Sequence, residues 1–182
     1  MKRQPLIALL ETYRSLWADE SEACDRYLEF VSRNPDCFER SLREGHVTGS
    51  AWIVNTAGTH VLLTHHRKLG QWFQLGGHAD GESDVAKVAM LEAREESGLA
   101  GLQFVSDEIF DIDIHLIPAR KSDPEHYHYD VRFALQSMVS DAYTVSEESL
   151  NLAWVELANL TEYTTEESML RMARKWRELQ WG

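Results

Sequence analysis

Apolar positions in the first fifth of the chain recur with a helical period. Leu6, Leu9, Leu10, Tyr13, Leu16 and Trp17 form one stripe across residues 5–17, and Pro5 suits a first helical turn. A second stripe of Ala23, Tyr27, Phe30 and Val31 follows, between Asp19, read as an N-cap, and the stop at Asn34-Pro35-Asp36. The two stripes predict a helical hairpin packed on the rest of the chain, with a short helix at 38–42 after it. The texture then turns to β: 47–54, a turn at 55–58 and 60–64 predict a strand hairpin. Residues 72–75 read as a third extended piece running into a Gly76-Gly77 loop, and 84–97 as a helix closed by Gly98. Further on, 104–117 and 128–136 read as long strands around a loop at 118–125. Residues 152–155 read as a short strand and 166–179 as a closing helix carrying Met169, Leu170, Met172, Ala173 and Trp176. The expected fold class is α/β (α+β): a mixed sheet between helices, with residues 1–44 as an N-terminal helical hairpin and 45–182 as the main domain.

A length of 182 residues suits one main core and one active site. The N-terminal apolar stretch is broken by Glu11 and Arg14, which argues against a secretory signal, and no run is long enough for a membrane span. A cytoplasmic protein is expected, with Cys24 and Cys37 as reduced structural thiols outside any C-x-x-C pair. The formal net charge of −12 changes the picture further, because it excludes a general phosphate-neutralising surface and hence an extended nucleic acid as partner. An acidic chain that handles phosphates has to recruit cations locally, which points to divalent metal.

The helix after the glycines carries that chemistry. Glu92, Glu95 and Glu96 stand at i, i+3 and i+4 and share one face, while Val85, Val88 and Ala89 turn towards a core. Like charges at this spacing repel, and the helix C-terminus disfavours anions as well. Either a cation compensates them or they form a solvated acidic face with Arg94 interleaved; hard oxygen donors so placed suit Mg²⁺ or Mn²⁺.

The stretch from Gly77 to Leu99 resembles the Nudix box, G-x5-E-x7-R-E-U-x-E-E-x-G-U with U aliphatic. Gly77, Glu92, Ala93, Glu95, Glu96, Gly98 and Leu99 match it. Ser83 stands where that family has its first glutamate, and Leu91 where it has an arginine. Glu82 and Asp84 flank the vacant acidic position, and Arg94 lies one turn from Leu91. The resemblance covers about residues 46–160, including Trp154-Val155-Glu156 as a late strand. It implies a mixed sheet sandwiched between helices, and metal held by Glu92, Glu95 and Glu96. It further implies hydrolysis of a diphosphate in a nucleoside diphosphate derivative or related small molecule. Glu95 or Glu96 is the expected base, with Glu82 second. Gly76, Gly77, Arg67 and Lys68 are the expected substrate contacts, a solvated turn being the other reading of the His65-to-Lys68 run. Trp72 and Phe73 either stack on a base or pack.

Eight histidines are many for this length, and His126 and His128 stand at i and i+2, on one face of a strand. The layout from Gly45-His46-Val47 through Gly-Gly-His is also similar to isopentenyl diphosphate isomerase, a Nudix-fold enzyme. That resemblance places histidines at His46 and His78 and metal-binding acids at positions matching His126 and His128. His46, His78, His126 and His128 are therefore a candidate second site suited to Zn²⁺, Mn²⁺ or Fe²⁺, binding of water or of substrate phosphate being the other reading of these histidines. The catalytic cysteine of the isomerases falls at Gly76, which argues against isomerisation. An isomerase-like enzyme and a nucleotide-binding Nudix domain without catalysis are the alternatives to the hydrolase. A homodimer is the assembly the resemblance suggests.

Overall fold

The computed structural model describes residues 2–67, 70–120, 124–146 and 149–181, without the side chains of residues 180 and 181. Two helices, α1 (Gln4–Leu16) and α2 (Ser21–Arg33), open the chain, and Pro5 sits in the first turn of α1. Asp19 does not cap α2. It lies in a 3-10 turn, Ala18–Glu20, that is drawn inward because the Glu20 carboxylate accepts from Tyr13 Oη at 2.6 Å and from Lys175 Nζ at 2.6 Å. Nor is there a helix at 38–42. The carbonyls of Cys37 and Phe38, which a helix would need, accept instead from Val47 N and Gly81 N, so that segment is a string of tight turns.

Strands β1 (Gly45–Val54), β2 (His60–His66), β3 (Trp72–Phe73) and β4 (Leu75–His78) follow, then α3 (Val85–Ser97). After α3 come β5 (Leu102–Phe104), β6 (Asp111–Ile117), β7 (His126–Ser137), β8 (Ser149–Glu156) and α4 (Glu167–Trp181). The segment expected as one strand at 104–117 is interrupted. β5 and β6 both pair with β7, and residues 106–109 bulge away between them, with Glu108 N bonded to Ser106 Oγ. The expected glycine loop is also strand: Gly76, Gly77 and His78 pair with Ser50, Gly49 and Thr48.

The described strands form one mixed sheet in the order β3-β2-β1-β7-β5, with β4 on β1, β6 on β7 and β8 on β2. β1 runs parallel to β7 over its whole length, so the centre of the sheet is buried on both faces. Successive side chains alternate between faces. A Cβ on Gly49 would lie 2.9 Å from Val85 O, which puts α3 on the face shared by Val47, Gly49, Ala51 and Ile53. α1, α2 and α3 bury Leu6, Leu10, Tyr27, Phe30, Val85 and Val88 on that side. The opposite face carries His46, Thr48, Ser50 and Trp52. Its far end, from Trp52 and Val54 outward, is covered by Met169, Met172, Ala173 and Trp176 of α4. Cys24 and Cys37 are buried and free. Among the described residues no helix is long and apolar enough to cross a membrane.

Candidate functional site

On the α3 face, two of the helix acids meet the glycine strand. Asp84 caps α3, accepting from Lys87 N at 3.1 Å, and Gly98 ends it with φ 65. This fixes the rotation of the helix that presents Glu92, Glu95 and Glu96. The Glu96 carboxylate, 9 % exposed, accepts from Gly76 N at 3.0 Å. The Glu92 carboxylate occupies the space a side chain at Gly77 would need: a Cβ there would stand 2.5 Å from Oε1 and 2.7 Å from Oε2. Glu95 is exposed. The acids flanking Ser83 are otherwise engaged. Glu82 pairs with Lys87 and accepts from Asp84 N, which holds its carboxyl down at about 2, and Asp84 serves as the cap. Leu91 is half exposed and Arg94 exposed.

Arg67 follows β2 and donates to Ser149 O at 3.1 Å; Lys68 lies outside the described residues. Trp72 stacks on His65, with centroids 4.9 Å apart, and meets Tyr163 edge-on at 5.5 Å, so it packs against protein. Phe73 pairs through its backbone with Thr64.

The other face of the sheet brings the histidines together. β1 and β7 register His46 with His128, and β6 and β7 register His115 with His128. His78, opposite Thr48, joins them from β4. Ring centroids of His78, His126 and His128 lie 5.0, 5.1 and 4.8 Å from that of His46. One nitrogen from each of His46, His78 and His128 lies within 4.8 Å of the others, an arrangement that could hold a metal ion. His46 is buried and His78, His126 and His128 are half-buried. Burial, reinforced by the neighbouring rings, pushes the His46 imidazole down to about 4 and His128 to about 2, so both rings are neutral at pH 7. Among the described residues the three glutamates do not form such a three-donor group.

A charged ladder continues from the histidines along this face. Asp130 accepts from Thr48 Oγ1, Ser50 Oγ, Gln74 Nε2 and Arg132 Nε, and Arg132 donates on to Asp111 and Asp113. Asp111, fully buried, also accepts from Arg171 and Lys175 of α4. Asp113 bonds His115 Nδ1 at 3.2 Å. Sequence reasoning missed His115 and this ladder. The signal was an inverted alternation, Asp111-x-Asp113-x-His115 and His126-x-His128-x-Asp130-x-Arg132, with polar residues at every second strand position.

No family model matches the chain, and no curated protein matches it. Solved structures do. The C. elegans Ap4A hydrolase binary complex aligns with TM-score 0.62 and 20 % identity over 75 % of this chain and 98 % of its own. RenU, a Nudix hydrolase from M. smegmatis, aligns with TM-score 0.55 and 16 % identity over 75 % and 86 %. The E. coli dihydroneopterin triphosphate pyrophosphohydrolase aligns with TM-score 0.55 and 16 % identity over 71 % and 92 %. With its mixed sheet between helices, and with α3 laid against a glycine strand, the chain has the Nudix hydrolase fold.

Proposed function

We propose that the chain is a Nudix hydrolase that uses Mg²⁺ or Mn²⁺ to cleave a diphosphate linkage in a nucleoside diphosphate derivative or a related small molecule. The observation carrying this reading is that Glu92 and Glu96 both close on the Gly76-Gly77 strand in a chain of this fold. The donor chemistry suits a hard divalent ion, carboxylates of one helical face with one seated where any Cβ at Gly77 would exclude it, and the three would have to draw together around the ion. Glu92, Glu95 and Glu96 would hold the ion, which when bound supplies positive charge for the diphosphate oxygens and acidifies a water.

The remaining work falls to the chain's own groups. Gly76 N–H fixes the Glu96 carboxylate, so that acid is oriented before substrate arrives. Glu95 is exposed and neighbours the other two on the helix, which suits it to take the proton from the attacking water. Gly77 and Arg67 are the contacts for the phosphates, the Gly76 N–H being taken by Glu96. A panel of nucleoside diphosphate derivatives, incubated with Mg²⁺ or Mn²⁺ and scored for phosphate-containing products, tests the reading. Turnover that disappears in Glu95→Gln is expected; no release across the panel, or full turnover by that variant, overturns it.

One observation favours a second reading, a domain that binds such a molecule without cutting it. Ser83 and Leu91 replace the box glutamate and arginine, and Glu82 is committed to Lys87. Tight binding of a panel compound without product release is the result that distinguishes it.

A further inference from the structure

His46 is 3 % exposed, and among the described residues neither of its ring nitrogens has a hydrogen-bond partner. A neutral imidazole carries one donor and one acceptor, and leaving either unmet in the interior is destabilising. A chain with no use for the ring gains by replacing it with an apolar side chain. Three further histidines surround it on the sheet face that α3 does not touch, drawn from β4 and β7.

His126 stands beside the group of His46, His78 and His128, not within it. His126 Nδ1 lies 2.8 Å from Pro124 O, and since a carbonyl only accepts, that nitrogen carries the proton. Nε2 is then the nitrogen left to bind an ion, the tautomer control that ligating histidines commonly receive from a backbone carbonyl. His126 Nε2 stands 3.3 Å from His128 Nε2. Two nitrogens bound at about 2.0–2.1 Å to a tetrahedral ion are separated by about 3.3 Å, so this pair already has the length of one tetrahedral edge. A hydrogen bond between the two rings gives a similar distance but leaves both His46 nitrogens unmet.

We propose that His46, His78 and His128, completed by His126, hold a divalent transition-metal ion of the Zn²⁺ class, and that this ion pins β4 to β1 and β7. Imidazole nitrogens select such an ion over Mg²⁺. His78 directly follows Gly76-Gly77, and alternation puts its ring on the opposite side of the strand from Glu92. The ion thus sits on the reverse of the strand against which the glutamates rest, and it has a positioning role for them. Only that last clause rests on the hydrolase reading.

The test titrates Co²⁺ into chelator-treated full-length protein at neutral pH, with Mg²⁺ in millimolar excess to occupy oxygen sites. One equivalent of Co²⁺ with the intense visible absorption of a four-coordinate site is expected, and Zn²⁺ displaces it. At a hundredfold excess over Kd, Zn²⁺ raises Tm by about 5 °C or more. His46→Gln and His128→Gln each weaken Co²⁺ binding by about 100-fold or more, His126→Gln weakens it by about 10-fold, and His60→Gln on the outer hairpin leaves it unchanged. Because His46 is buried, His78→Gln at a half-buried ring serves as the variant if His46→Gln fails to fold. Glu95→Gln binds Co²⁺ like wild type even if turnover vanishes, so failure of the hydrolase reading and failure of the histidine site are distinguishable. No binding of Co²⁺ or Zn²⁺, or binding untouched by His78→Gln and His128→Gln, overturns the proposal.

Discussion

Adding a single methyl group at Gly77 separates the role of Glu92 from the stability of the fold. The Cβ of Gly77→Ala would lie 2.5 Å from Glu92 Oε1, where ordinary van der Waals contact begins at 3.4 Å, so the carboxylate has to withdraw by roughly 0.9 Å. It is the far end of a flexible side chain and can do so without moving backbone. Catalytic groups need to be held to about 0.5 Å, and a displacement of about 1 Å costs on the order of 100-fold. Gly77 is not in the left-handed region, so alanine there also narrows the unfolded ensemble, a gain of about 0.4–1 kcal/mol that offsets the crowding. The expectation is a Tm near wild type, with kcat/KM on a panel substrate and Mn²⁺ affinity by electron paramagnetic resonance both reduced, kcat/KM by about 100-fold. Gly76→Ala is the contrast. Its Cβ would stand 2.6 Å from Ser50 Cα, in the central strand, where nothing yields cheaply, and loss of folding is expected first. If Gly77→Ala kept wild-type turnover and Mn²⁺ affinity, Glu92 would not belong to the metal site.

Lys175 Nζ, almost fully buried, holds Glu20 at 2.6 Å, Asp111 at 2.7 Å and Tyr13 Oη at 2.6 Å, so Lys175→Met takes a buried cation from Glu20, which keeps Tyr13, and from Asp111, which keeps Arg132 and Arg171. Breaking a buried pair this way costs about 3–5 kcal/mol, or a Tm lower by roughly 6–20 °C, and a shift within a degree or two by calorimetry would show the cluster to be idle. Burial raises the Asp113 carboxyl, but the His115 hydrogen bond and the charges of Arg132 and Arg171 outweigh it and hold the group at about 2. The unfolded carboxyl, with pKa about 3.9, binds its proton first, so stability is lost as pH falls from about 4 to about 2. Asp113→Asn should remove about 2 kcal/mol of that loss in denaturant titrations, and an unchanged slope refutes the assignment. Glu82→Gln, which loosens a surface pair with Lys87 and leaves an amide oxygen to accept from Asp84 N, should leave turnover near wild type, whereas a collapse of rate would make Glu82 a catalytic group.

Much of the fold was legible because burial periods are local. The stripes of α1, α2, α3 and α4, the β1–β2 hairpin and the αL glycine closing α3 stand where apolar spacing and turn residues put them. What local pattern could not supply was where backbone groups far apart in sequence would be spent. Residues 38–42 carry helix-compatible side chains, yet the carbonyls of Cys37 and Phe38 are taken by Val47 and Gly81. Gly76-Gly77 reads as a bend because glycine usually marks one, but here it buys room on both sides of a strand. The box acids were visible as an i, i+3, i+4 set, and so were His126 and His128 as an i, i+2 pair. His115 and the Asp111-Asp130-Arg132 ladder depend on the register of β6 and β7 with β1, which no single segment encodes.

The glycine strand itself shows why the two faces are coupled. On one side the missing side chain at Gly77 admits the Glu92 carboxylate; in the neighbouring pair the missing side chain at Gly76 admits Ser50, whose hydroxyl donates to Asp130. Asp130 is also held by Thr48, Gln74 and Arg132, and through Arg132 the same network reaches Asp111 and α4. A larger residue at either glycine therefore disturbs a different partner: at Gly77 a flexible acid that can swing away, at Gly76 the backbone of the sheet. That asymmetry requires β4 to stay close to β1 along Thr48–Ala51, and the strand is only four residues long. Backbone pairing over so short a stretch is weak by itself. Packing of α3 supports it from one face, and an ion held by His46, His78 and His128, as proposed, would pin it from the other.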